Sequence, residues 1–355
     1  MNNRQYYSNK QILYIMKQVS VWMIILCVYQ AHAQQQPHYT QYILNQFIIN
    51  PALAGIENYT DIKASHRRQW IGLPGAPVTS YFSVHTPLGK QDDRITATSF
   101  EIPGENPRGK SYWENYTAAK PHHGIGVKII DDRTGPLNRF GGYVAYAYHI
   151  GIGRKTSLAA GFEGGIRNIS LDASSLDFGN LNPVDPSVYA SGEINSVRPD
   201  YSFGCYVYSA DYFVGLSAQQ MIRQRIYFSA KRLNADSASE LIPHFFATAG
   251  YRFLLDDDVT VLPSIMTKYV NPSPVQFDLN LKVQYRDLFW IGTSYRLKDG
   301  FAGYVGLNAS NTFNVSYSYD YTTSGLSAVS KGTHEIVLGF LVGNKYKGGC
   351  PRNVW

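Results

Sequence analysis

The segment Val275–Arg286 reads V-Q-F-D-L-N-L-K-V-Q-Y-R and constrains this chain more than any other. Val275, Phe277, Leu279, Leu281, Val283 and Tyr285 are apolar, and every residue between them is polar or charged. Successive side chains of a strand point to opposite faces, so the segment has one apolar and one polar face along its length. About ten residues of such alternation is what a tilted strand needs to cross a bilayer core. Thr312–Tyr321 repeats the pattern, with Phe313, Val315, Tyr317, Tyr319 and Tyr321 set against Asn314, Ser316, Ser318 and Asp320. An open sheet would leave unpaired backbone in lipid. The chain is therefore expected to be all-β, a transmembrane antiparallel β-barrel in the outer membrane. On this reading a charge at Leu279 or Leu281 meets lipid, whereas one at Asn280 meets a wet lumen and is mild.

Composition agrees where it bears on the question. The 28 tyrosines suit rings that sit at a membrane–water boundary. Mean hydropathy is slightly negative, which suits a polar interior and argues against a bundle of membrane helices. The longest apolar run, Val19–Tyr29, is too short to span. It follows Arg4, Lys10 and Lys17 and precedes Ala31-His32-Ala33, so residues 1–33 read as a secretory signal peptide. Cys27 lacks the small preceding residue of a lipoprotein site. Loss of the three cations lowers the formal charge from +6 to +3, which gives no reason to expect a nucleic-acid partner. Cys205 in mid-strand and Cys350 in the tail are expected to stay unpaired.

Fourteen strands are expected, near 59–70, 78–87, 123–130, 140–149, 157–169, 199–208, 212–219, 244–254, 259–268, 275–285, 288–296, 301–308, 312–321 and 334–342. An even count is what a single-chain bacterial barrel requires. The domain plan is a signal peptide (1–33), a periplasmic or plug-like N-terminal segment (34–58), a barrel (59–346) and a C-terminal tail (347–355). Tight turns near 151–155, 209–211, 256–258, 286–287 and 309–311 go to the periplasmic side, and the long loops 170–198 and 220–243 to the outside. One connector breaks this order. Gly89–His122 is long yet falls on the periplasmic side, and it carries Tyr112, Trp113 and Tyr116. Long connectors of this kind are usually functional or disordered, so machinery docking, a lumen plug and an inert insertion all stay open.

Four blocks occur in order within about fifty residues: Asn50-Pro51-Ala52-Leu53-Ala54-Gly55, His66-Arg67-Arg68-Gln69-Trp70, Gly75-Ala76-Pro77-Val78-Thr79 and Ser83-Val84-His85-Thr86-Pro87-Leu88. Together they resemble the N-terminal signature of the PorP/SprF family, and the ending Cys350-Pro351-Arg352-Asn353-Val354-Trp355 is also similar in style. The resemblance implies an outer-membrane protein associated with the type IX secretion system and gliding motility of Bacteroidetes. It implies type IX secretion components and a secreted or surface protein as partners, such as a gliding adhesin. It also implies a short turn where this chain has the long connector 89–122.

Alternation puts one of Arg67 and Arg68 in the lumen and the other near the outer interface. Trp70 is either a girdle aromatic or a partner anchor. With the resemblance added, Arg68, Gln69, Trp70, Gly75 and Pro77 become partner-binding candidates, joined by Tyr112, Trp113 and Tyr116 of the connector. No enzyme signature is present: neither G-x-S-x-G, H-E-x-x-H, a phosphate loop nor C-x-x-C. Asp256-Asp257-Asp258 lacks the ligand spacing of a calcium loop and reads as a solvated turn, as does Asp131-Asp132. His122 and His123 point to opposite faces and cannot share an ion. No catalytic residue, metal or cofactor is expected, and beyond the secretion partners only outer-membrane lipid. Two further readings are a channel for small, hydrophobic molecules, with Gln34–Leu53 as its plug, and a barrel enzyme acting on lipid.

Overall fold

A computed structural model describes residues 39–90, 116–172, 193–226, 239–286, 288–297, 299–310 and 312–343. The expected signal peptide at 1–33, Tyr112, Trp113, Cys350 and the expected tail at 347–355 lie outside these residues. Alternating segments pair with their neighbours in sequence. β1 (Thr60–Arg68), β2 (Val78–Leu88), β3 (His122–Thr134) and β4 (Leu137–Gly151) form the first part of the wall. β5 (Ser157–Asp172), β6 (Glu193–Tyr208) and β7 (Tyr212–Gln219) follow. β8 (His244–Tyr251) resumes past Arg252 as Phe253–Asp256 and leads into β9 (Val259–Tyr269) and β10 (Gln276–Tyr285). β11 (Phe289–Arg296), β12 (Gly300–Asn308), β13 (Phe313–Thr322) and β14 (Thr333–Val342) complete it.

Every neighbouring pair is antiparallel, and β14 returns to pair with β1 from Thr60↔Val342 to Arg68↔His334. The result is a closed 14-stranded barrel with no free sheet edge. A short ladder, Gln224–Ile226 with Ser239–Leu241, lies in the outer connection between β7 and β8.

On β10, Leu279 and Leu281 are 50% and 42% exposed, while Asp278, Asn280 and Lys282 are 3%, 4% and 3% exposed. The apolar row is the lipid-facing one. Leu281→Arg should therefore destabilise the barrel by about 2–4 kcal/mol near the midplane, read from the urea midpoint of the folded, fast-migrating gel species. No loss at Leu281 would mean that this face is not in lipid. The inward face departs from expectation, since it is packed against other residues. Asn280 accepts a hydrogen bond from the Tyr304 hydroxyl at 2.6 Å in a packed interior, so a charge there is not mild.

Three further differences have simple causes. β3 and β4 run on to Thr134 and Leu137 around a turn containing Gly135 (φ +56°), and β5 and β6 reach Asp172 and Glu193. The outer loops are thus shorter than 170–198 suggests. The backbone ladder needs no side-chain alternation, so pairing continues after the apolar–polar pattern fades. Asp131-Asp132 consequently lies in β3 rather than in a loop. Asp132 is buried inside, accepting from Thr79 Oγ1 at 2.7 Å and pairing with Arg139 at 3.3 Å; Asp131 pairs with Arg133 at 3.1 Å.

Candidate functional site

The interior is filled by the segment that precedes β1. It turns through three short 3-10 helices, Tyr42–Leu44, Gln46–Ile48 and Pro51–Leu53. Its apolar residues Tyr42, Ile43, Phe47, Ile48, Ile49, Leu53 and Ile56 are each at most 4% exposed. They form one core with inward side chains of the wall, among them Tyr81, Tyr206, Phe213, Trp290 and Tyr304. Burial pushes the Tyr39 and Tyr42 phenols up, so both remain neutral.

The outer end of this segment is held by charge. Arg67, 2% exposed, donates from Nη2 to Asp320 at 2.7 Å and from Nη1 to Glu335 at 3.0 Å, and it also donates to the Thr40 hydroxyl. Thr40 donates from its backbone N–H to Glu335 at 3.1 Å and from its hydroxyl to Asp320 at 2.5 Å. Ser65 donates to the second Glu335 oxygen at 3.2 Å. Gln41 continues the clamp, donating to Ser318 at 3.3 Å and to the Glu335 carbonyl at 3.1 Å. Other inward charges are paired in the same way, as in Lys128–Glu163 at 2.8 Å, Arg167–Asp200 at 2.7 Å and Arg296–Asp278 at 3.4 Å. Such pairing is what a charge out of water requires.

The other end is held by shape. Asn50 caps the helix Pro51–Leu53 by accepting from the Ala52 N–H at 3.0 Å, and Pro51 occupies the first helical position, where its missing N–H is harmless. The Asn50 amide donates to the carbonyls of Cys205 (3.2 Å) and Leu216 (3.3 Å). The wall here is nearly bare of side chains. A Cβ on Gly124 would lie 1.8 Å from the Ala54 oxygen, one on Gly161 2.4 Å from the Ala52 nitrogen and one on Gly204 1.9 Å from Asn50 Oδ1. Gly55 (φ +74°) turns the chain toward β1. His149 donates to the Ala54 carbonyl at 2.8 Å, His122 lies 3.3 Å from the Gly55 carbonyl, and the Gly55 N–H donates to His85 at 3.3 Å. His122 and His149 stack with ring centroids 4.5 Å apart.

At the rim expected to face outward, the turn after β1 is fixed on both flanks. Trp70, half-buried, has φ +44°, its N–H donates to Thr333 Oγ1 at 3.1 Å and its carbonyl accepts from Leu73 at 3.1 Å. Ile71 exchanges backbone hydrogen bonds with Gly332 (2.9 Å) and Lys331 (2.7 Å), and the Gly75 carbonyl accepts from Gly135 at 2.8 Å. Gln69 donates to the Pro77 carbonyl at 2.9 Å, closing the hairpin. Arg68 is exposed on the outer wall while Arg67 is inside, as alternation requires. Arg68, Gln69, Trp70 and Gly75 thus share one rim, with Pro77 buried at its foot.

Of the connector aromatics only Tyr116 is described. It is 8% exposed, packs with Ala210 of the turn between β6 and β7, and so is committed within the chain. Nearby, the Ala118 N–H donates to the Arg154 carbonyl at 2.9 Å, tying the end of the connector to the turn between β4 and β5. Among the described residues no cluster of His, Cys, Asp and Glu is arranged to hold a metal ion.

The family model described as type IX secretion system membrane protein PorP/SprF matches residues 31–340. The chain belongs to the PorP/SprF family. With its closed barrel this makes it an outer-membrane protein of the type IX secretion system, in a family and fold that are not those of an enzyme class. No curated protein matches it in sequence. Among solved structures it is similar to the toluene transporter TbuX of Ralstonia pickettii (8% identity, TM-score 0.47, 83% of this chain and 92% of that one). It is also similar to Omp33 of Acinetobacter baumannii (8%, 0.43, 81% and 99%) and to a FadL homologue of Pseudomonas aeruginosa (10%, 0.41, 87% and 94%). Within this PorP/SprF chain the signature divides in two. Asn50–Gly55 and Arg67 serve the lumen, whereas Arg68–Pro77 serves the rim. Sequence reasoning missed the glycines and alanines of the wall; the G-x-G spacing of Gly124 and Gly126 on one inward face was the available signal.

Proposed function

We propose that this barrel works as a sealed docking platform, supporting secretion or surface attachment of partner proteins such as gliding-motility adhesins. The observation that carries this reading is the lumen filled by residues 40–57 and held at both ends, which leaves the rim as the surface for a partner. Arg68, Gln69, Trp70 and Gly75 form the proposed contact region, with buried Pro77 supporting it from below. A bulky residue in the left-handed backbone region is strained, and such strain persists where surrounding structure over-determines it. Here three backbone–backbone hydrogen bonds and one to the Thr333 hydroxyl, reaching the strands and turns on either side, hold the turn around Trp70. On the periplasmic side, Tyr112 and Trp113 of the connector are the proposed contact for secretion machinery, with Tyr116 anchoring the connector to the barrel.

Trp70→Gly separates the two roles of this residue. Glycine relieves the backbone at φ +44°, so barrel abundance should hold or rise, while surface display of the partner should fall severalfold in cell-surface immunolabelling. Display that follows abundance would make Trp70 structural only. The channel reading instead requires an open lumen and predicts discrete conductance steps in planar bilayers; the docking reading predicts almost none.

A further inference from the structure

We infer that the outer wall across β14, β1, β2 and β3 is a binding site for the phosphorylated sugar headgroup of an outer-leaflet glycolipid. Among the described barrel strands, Arg68 and Arg133 are the arginines that point outward; the others, and the strand lysines, alternate inward. The register sets them side by side. Arg68 lies opposite His334 on β14 and Val78 on β2, and Val78 lies opposite Arg133 on β3. The row His334–Arg68–Val78–Arg133 crosses four strands, so the two guanidinium-bearing positions stand roughly 10 Å apart at the usual strand spacing.

His66 lies one outward position below, 2.9 Å from Ser80, and the His334 ring is held by Tyr317 at 2.5 Å and by an edge contact with Tyr319. One acid is present: Asp131 pairs with Arg133, whose side chain is nevertheless 66% exposed. Arg68 has no ion-pair partner among the described residues.

Further down the same outward face lie Ile336, one outward position below the row, Phe82 and Ile129, two below, and Phe340, three below, each 40–47% exposed. Cations set over an apolar wall suit a ligand with phosphates on its head and acyl chains below it. A soluble anion has no use for the wall, and arginine is well matched to phosphate. On β9 to β13 the outward positions toward this end include the aromatics Tyr269, Phe277, Tyr295, Phe301 and Tyr321. Among the described barrel strands the outward arginines thus fall in one sector, adjacent to the turn that carries Trp70.

The test uses the full barrel in nanodiscs, probed with bis-phosphorylated lipid A, dephosphorylated lipid A and inorganic phosphate. Retention of phosphorylated lipid A, measured by native mass spectrometry, should fall about tenfold or more in Arg68→Gln/Arg133→Gln, and less in Arg68→Gln alone. Both side chains face outward, so folding is checked by gel shift alone. Equal retention by wild type and double variant would overturn the site. So would equal retention of phosphorylated and dephosphorylated lipid, or displacement of lipid A by inorganic phosphate at equimolar amounts. Wild-type selectivity for the phosphorylated lipid that disappears in the double variant supports it.

Discussion

Arg67→Met is expected to destabilise the barrel by about 3–5 kcal/mol, because it strips the cation from two buried carboxylates. Glu335 and Asp320 are 1% and 7% exposed, and the nearest remaining cation, Arg296, stands 4.0 Å from Asp320. Thr40 loses its anchor at the same time. The measurement is the urea midpoint of the compact gel species. Arg68→Met, one residue on, is the internal control. Its side chain is exposed, and the change should stay within about 0.5 kcal/mol. Arg67→Met/Glu335→Gln should recover part of the loss, since it removes one of the two stranded charges. Equal effects at 67 and 68 would mean that the clamp carries no energy.

Gly124→Val should open the lumen. Its Cβ would fall 1.8 Å from the Ala54 oxygen and 2.4 Å from the Ala54 carbonyl carbon, an overlap that backbone cannot absorb in place. Overpacking of this kind costs about 1–3 kcal/mol, which lifts the Asn50–Gly55 stretch from the wall more easily than it breaks the barrel. β3 keeps its pairing on both sides, with Pro87 and Ala147 opposite Gly124. The expected result is a folded, heat-modifiable protein whose planar-bilayer current rises from background to discrete steps, with residues 40–57 newly open to protease. Gly142→Val is the control, for Gly142 faces outward with nothing within 4 Å of an added Cβ, and its current should stay at background. A Gly124→Val protein as silent and as protease-resistant as wild type would remove the basis for a plug held by close contact.

Both predictions bear on how the N-terminal signature is understood. Reading the sequence for family resemblance gathers Asn50 through Leu88 into one signature. In the folded chain, neighbours in that signature serve different ends of the barrel. Asn50-Pro51-Ala52 lies against Gly161 and Gly204, more than a hundred residues away, while Trp70 meets the solvent rim beside Gly332 and Thr333. Arg67 and Arg68 are adjacent, yet one is enclosed in an ion cluster and the other stands on the outer wall.

The barrel itself was legible because lipid imposes a period of two on each strand, and that demand acts locally, residue by residue. Leu279 and Leu281 against Asp278 and Asn280 declare their faces without reference to any other strand, as do Tyr317 and Tyr319 against Ser316 and Ser318. The same logic separates Arg67 from Arg68. From Asp131 to Arg139, and at Asn168–Asp172 and Glu193–Val197, the apolar–polar period lapses and strand length depended on pairing in the fold. What filled the inward face was decided only in three dimensions. Polar residues facing a lumen look alike in sequence whether they meet water or a folded-in segment. The difference lies in contacts such as Thr40 with Asp320 and Ala54 with His149, which join residues far apart in the chain. Ile43, Phe47 and Ile48 had to be buried somewhere, but only closure of the sheet created the enclosed space, and only the glycine-lined wall made it wide enough to hold them.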